Sequence, residues 1–149
     1  MSQIGFYNKN EPILKFYKKK GIYQNSTGSL TFNPIKMEAH SYSWWLFVAK
    51  IKRKIVFNNY RYSMSTTKQQ MKIQNLLNQL DIKIDYYIEA RRGLDRLDIA
   101  IEDYSYKIKT LEDLIAKPST RANKNAERKA LIKTYKEKIK IIKRLGGAK

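Results

Sequence analysis

The sequence predicts an α+β protein in which a small β-sheet with one crossover helix precedes a long antiparallel helical hairpin. Three observations favour this fold class. Short β-type segments fill the first half of the chain, a strand–helix–strand pattern follows, and the last third repeats apolar residues at helical spacing. We expect two parts, a sheet domain over residues 1–93 and a hairpin over residues 94–149.

The sheet is predicted from segments that are rich in β-branched and aromatic residues. These candidate strands span residues 13–18, 29–33, 44–51, 54–62 and 82–89. The segment 44–51 is apolar on both faces, which is typical of a central strand, and Trp44 and Trp45 are interpreted as core residues. Lys52 and Arg53 would turn this strand into the next one, although neither is a favoured turn former.

A helix is predicted between the last two candidate strands. Ser65, Thr66 and Thr67, with Gln69 after them, resemble a capping box, and an apolar face continues to about Leu80. A crossover helix of this length makes the flanking strands parallel if they share a sheet.

The hairpin is the strongest prediction from periodicity. Its first apolar stripe consists of Leu94, Leu97, Ile101, Tyr104, Ile108, Leu111 and Ile115. Asp95 is a plausible N-cap of this helix, and Pro118 should end it. After a cap at Ser119 or Thr120, the second stripe consists of Ile132, Tyr135, Ile139 and Ile142, widened by Leu131 and Leu145. A connection of about four residues predicts antiparallel neighbours.

Charge indicates the class of partner. The 149 residues include 31 Lys or Arg and 13 Asp or Glu, which gives a formal charge of +18. Residues 95–116 carry −3 whereas residues 117–149 carry +10, so the two predicted hairpin helices differ in sign. The absence of Cys excludes disulfides and thiolate zinc sites. These observations favour binding to a polyanion.

The second hairpin helix carries a row of five lysines. They are Lys129, Lys133, Lys136, Lys140 and Lys143. Spacings of four and three place them on one face, over about 21 Å of helix, beside the apolar stripe. Such a row could follow several phosphates of a nucleic acid. The alternative is a solvated face whose lysines pair with the acidic preceding helix.

Two further groups of cations are candidate phosphate contacts. The hairpin tip would gather Lys117, Arg121, Lys124 and Arg128 around a helix amino terminus, which favours anions. Upstream, Lys52, Arg53 and Arg61 are interleaved with aromatic residues, a combination found in proteins that bind single strands. The alternatives are an exposed tip that tolerates any polar residue and an ordinary sheet with aromatic core residues.

Catalytic residues are difficult to find in this sequence. His40 near Glu38 is the single histidine, and Asp81 with Asp85, or Asp98 with Glu102, could hold a divalent metal as in a nuclease. No Gly-rich phosphate loop and no nucleophile motif is present. We therefore expect no enzymatic activity and no cofactor, with a metal-dependent nuclease as the alternative.

The predicted function is non-enzymatic binding of DNA or RNA through the basic carboxy-terminal helix and the hairpin tip. The alternative is a structural or inhibitory module, such as a virion component, that binds an acidic protein. The richness in Lys, Ile, Asn and Tyr is typical of an AT-rich genome and would suit a phage or mobile element. We expect a cytoplasmic or virion location, no membrane association, and homo-oligomers if the apolar stripe forms a coiled-coil seam.

Overall fold

The computed structural model describes residues 14–117 and 122–146. Its strands are β1 (Lys15–Tyr17), β2 (Ile22–Gln24), β3 (Leu30–Asn33), β4 (Glu38–Ser41), β5 (Trp45–Ile51), β6 (Lys54–Asn58) and β7 (Tyr86–Ile88). Its helices are α1 (Met64–Gln79), α2 (Leu97–Ala116) and α3 (Ala122–Arg144), with a 3₁₀ turn at Leu94–Arg96. The predicted α+β fold is confirmed. The chain divides into two compact units, the first ending at Asp95 and the second beginning at Arg96.

The first unit is built on one sheet of seven strands in the order of the sequence. Strands β1 to β6 form an antiparallel meander, and β7 pairs with β6 in parallel after the crossover by α1. The predicted strand–helix–strand unit is therefore confirmed. Two strands, β2 and β4, were not predicted, and β6 ends at Asn58 rather than near Tyr62.

Strand β5 contains a β-bulge where it pairs with β4. Ala39 pairs with Val48 whereas His40 pairs with Leu46, so Phe47 is an extra residue in the ladder. Residues 45–49 are all buried, as are residues 55–58 of the regular strand β6, so both faces of these two strands are covered, as the apolar run 44–51 predicts. The core cluster of the sheet includes Phe32, Trp45, Phe47 and Phe57, and α1 adds Ile73, Leu76 and Leu77 to it.

Helix α1 begins at Met64, two residues before the start near Thr66 that the sequence predicts. Its N-cap is Ser63, whose side chain accepts a hydrogen bond from the backbone N–H of Thr66 at 3.1 Å. The predicted capping box, formed by Ser65, Thr66 and Thr67 with Gln69, is therefore wrong. Gln69 instead accepts a hydrogen bond from the Ser41 hydroxyl in β4, because Gln69 lies on the buried face of the helix.

The second unit consists of α2 and α3 packed against each other. The rings of Tyr104 and Tyr135 lie 5.6 Å apart, and these residues are almost equally far from the tip, as an antiparallel hairpin requires. Burial is greatest away from the tip, at Leu97, Tyr104, Ile108, Ile142 and Leu145. Leu131, which was predicted to widen the stripe, is 44% exposed.

The two ends of α2 terminate in different ways. Asp95 does not cap the helix, because the 3₁₀ turn carries the chain on to Arg96, which has no side-chain capping bond. At the other end Lys117 is extended, with φ −72° and ψ 129°, as a residue before proline should be. The predicted caps Ser119 and Thr120 lie outside the described residues.

Candidate nucleic-acid interface

The five lysines of α3 form a continuous exposed row. Lys129, Lys133, Lys136, Lys140 and Lys143 are all exposed and lie on one uninterrupted helix. Four of them immediately follow the residues of the hairpin seam, for example Lys136 after the half-buried Tyr135. One residue rotates the helix by about 100°, so the row runs beside the seam and faces solvent. We call this surface the lysine row.

Among the described residues, the lysine row has no intramolecular ion-pair partner. Within residues 14–117 and 122–146, none of its five ammonium groups makes an ion pair or a hydrogen bond. Lys129, Lys133, Lys136 and Lys140 surround one shallow depression together with Ile132 and Glu137. The described residues therefore offer no support for the alternative in which these lysines neutralise the acidic face of α2.

The hairpin tip is described only in part. Lys117 and Lys124 are exposed, and Arg128 is half-buried with a long hydrogen bond of 3.5 Å to Asn125 Oδ1. Arg121 lies outside the described residues. A phosphate site at the tip thus stays a prediction, carried by Lys117, Lys124 and Arg128.

A second basic surface comes from the topology of the sheet. In a meander, alternate hairpin turns lie at the same end, so the β1–β2, β3–β4 and β5–β6 turns meet at one end of the sheet, with the loop before β7. The exposed cations in these segments are Lys18, Lys19, Lys20, Lys36, Lys52, Arg53 and Lys83. We call this surface the lysine end. From β1 to β6 it extends about 24 Å, over five inter-strand spacings of roughly 4.8 Å.

The β5–β6 turn has an unusual composition for its geometry. Lys52 and Arg53 both have positive φ values, 48° and 67°. Tight hairpin turns of this kind favour Asn-Gly, because most side chains are strained at positive φ. The predicted hairpin is confirmed, and it places two cations where asparagine and glycine would be more stable.

Arg61 lies at the opposite end of the sheet from Lys52 and Arg53. It follows β6, whereas the other two precede it, so the structure separates three candidates that the sequence groups together. Two aromatic side chains are exposed at this end of the sheet, which the sequence did not predict. Trp44 was predicted to lie in the core, but it is 48% exposed in the β4–β5 turn and contacts Tyr62. Only its neighbour Trp45, which is 2% exposed, is a core residue.

Two of the carboxylates considered for metal binding, those of Asp85 and Asp98, have structural partners. Asp85 Oδ2 accepts the backbone N–H of Ile55 at 2.8 Å, which joins the start of β7 to β6. Arg96 donates two hydrogen bonds of 3.1 Å to Asp98, and this contact lowers the pKa of the Asp98 carboxyl below its ordinary value. Among the described residues, no group of three or more His, Asp or Glu side chains is placed to hold a metal ion.

Comparison with protein-family models, curated proteins and solved structures found no match for this chain. In the part of the chain that the structure describes, no helix combines the length and the apolar composition needed to cross a membrane.

Proposed function

We propose that this protein binds nucleic acid without catalysing a reaction, and that it holds phosphates through the lysine row and the cations of the hairpin tip. The observation that carries the proposal is the row itself, five exposed lysines on one helix face without ion-pair partners among the described residues. Such a surface keeps its charge available for an external anion.

The dimensions of the row suit a charged polymer. Its residues span about 21 Å, and a DNA duplex carries roughly 12 phosphate charges over that length, at one per 1.7 Å. Each lysine that neutralises a phosphate releases condensed counterions, which is a favourable entropic contribution. The lysine end of the sheet is a further basic surface, and the formal charge of +18 attracts any polyanion over longer range.

The salt dependence of binding tests this proposal. Replacing Lys133, Lys136 and Lys140 by Gln removes three charges and keeps good helix formers on an exposed face, so the fold should survive. If the three lysines contact phosphates of B-DNA, the slope of log affinity against log salt should fall by about 2–3. Affinity should fall alike for every base sequence. Fluorescence anisotropy of labelled duplexes at several salt concentrations measures both quantities.

A single-site pair supplies the matched control. Lys136→Gln should reduce the slope by about 0.9, whereas Lys109→Gln on the exposed face of α2 should leave it almost unchanged. If the triple variant keeps the parent's affinity and slope on DNA and RNA, the phosphate-binding role of α3 is wrong. Stoichiometric capture of an acidic protein after nuclease treatment would then favour the protein-binding alternative.

A further inference from the structure

Two exposed aromatic rings meet at one end of the sheet. Trp44 and Tyr62 are 48% and 52% exposed, and their ring centroids lie 5.8 Å apart at an interplanar angle of 74°. In an edge-to-face pair, one ring presents its edge and the other presents one face. Whichever role Trp44 has, Tyr62 leaves at least one face of the indole uncovered.

A backbone hydrogen bond and a ring contact anchor the segments that carry the two rings. Trp44 follows Tyr42 and Ser43, which have φ values of 52° and 66°, and the Tyr42 N–H donates to the Ser29 carbonyl at 2.7 Å. On the other side, Tyr62 contacts the buried Trp45 ring at 5.6 Å. The rings are therefore held on a rigid support, which lowers the entropic cost of using them for binding.

Cations and further apolar surface belong to the residues that flank Tyr62 in the chain. Arg61 and Lys68 are exposed, and with Ser63, Met64 and Thr67 they line a depression of about 540 Å³ beside Tyr62 in the chain. Met64 is 81% exposed, although burying a large apolar side chain is favourable by about 1.5–3 kcal/mol. The surface thus combines open aromatic faces, apolar area and positive charge.

We propose that this surface binds an unpaired nucleobase, which stacks on the uncovered face of the Trp44 indole while Arg61 and Lys68 hold the adjacent phosphates. The inference deepens the proposed function and rests on it, because it names single-stranded nucleic acid as the form bound at this site. Exposed rings beside cations are the combination that single-strand binding uses, since every base has a π-face. In a duplex the base faces are already stacked and cannot reach the rings.

Three labelled probes separate base contacts from phosphate contacts. They are an oligothymidine of about ten nucleotides, within the range of single-strand sites, an abasic strand with equal phosphates, and a duplex of equal length. The full chain should bind oligothymidine more tightly than the abasic strand. Trp44→Ala should weaken oligothymidine binding by about 5-fold to 150-fold, as expected for one lost stack, and should leave abasic binding and the salt slope unchanged.

Two further variants control the experiment. Trp44→Phe should retain most of the affinity because a ring remains, and Ile35→Ala, at an exposed apolar residue in the β3–β4 turn, should have no effect. Equal binding of oligothymidine and the abasic strand, or an unchanged affinity in Trp44→Ala, would overturn this inference. Both outcomes differ from failure of the lysine-row proposal, which appears as an unchanged slope in the triple Gln variant.

Discussion

The buried side chain of Asn58 continues the parallel ladder between β6 and β7 by imitating a backbone amide. Its Nδ2 donates to the carbonyl of Ala90 at 2.8 Å, and its Oδ1 accepts the N–H of Ala90 at 2.9 Å. Oδ1 also accepts the N–H of Tyr60 at 3.1 Å. We expect Asn58→Ala to lower the free energy of unfolding by about 2–4 kcal/mol, because it leaves buried backbone groups unpaired.

Denaturant unfolding at constant slope measures this loss. Asn59→Ala is the matched control, because the Asn59 side chain is exposed and its backbone N–H keeps its bond to Ile88. Equal midpoints for the two variants would show that the Asn58 amide is dispensable.

The hairpin seam predicts a contrast between two aliphatic residues. Ile108 of α2 is buried, whereas Leu131 of α3 is exposed. Ile108→Ala should cost about 2–4 kcal/mol of stability, through lost burial and the cavity that remains. Leu131→Ala should cost less than about 1 kcal/mol, as for other surface changes. Similar losses, measured by urea unfolding, would contradict the packing described for α2 and α3.

The β5–β6 turn predicts that stability and binding change in opposite directions. Lys52→Asn combined with Arg53→Gly should stabilise the protein by about 1 kcal/mol or more, because Asn-Gly suits the positive φ values. If both cations contact phosphates, the same variant should lose about 1.8 in salt slope on duplex DNA.

A second double variant separates the two effects. Lys52→Gln with Arg53→Gln removes the charges but keeps side chains at both strained positions, so the slope should fall without any gain in stability. An unchanged slope in both variants would remove the lysine end from the phosphate-binding surface.

We expect no cleavage of DNA or RNA when the purified protein is incubated with magnesium or manganese. Asp85, one of the best candidate ligands in the sequence, already accepts the backbone N–H of Ile55. His40 and Glu38 lie on the same strand and are only half-buried. Gel analysis of labelled substrates measures cleavage, and turnover that disappears in His40→Ala or Asp85→Asn would contradict the non-enzymatic assignment.

The predictable part of the fold is the part with long periodic segments. Helices α2 and α3 have many apolar residues at helical spacing, so their pattern exceeds chance. Strands β2 and β4 have three and four residues and include Gln24, Glu38 and His40, so no apolar run marks them. The bulge at Phe47 depends on pairing with β4, which local sequence does not contain.

The candidate sites also differ in how far the sequence predicts them. The lysine row lies within one helix, so spacing alone places its members on one face. Which turns lie together at each end of the sheet depends on the number of strands between them. Because β2 and β4 were not predicted, the sequence does not show which turns meet. Adjacent tryptophans also look equivalent in sequence, although Trp45 donates its indole N–H to the Arg91 carbonyl at 3.1 Å whereas Trp44 is exposed.

The lengths of the two edge strands affect the tendency of the sheet to aggregate. In the described sheet, β1 and β7 lie at the two edges, and each has only three residues. A short edge offers few unpaired backbone groups to another molecule, and the exposed Lys15 in β1 adds charge repulsion. These short edges, one of them charged, disfavour edge-to-edge aggregation of the described sheet.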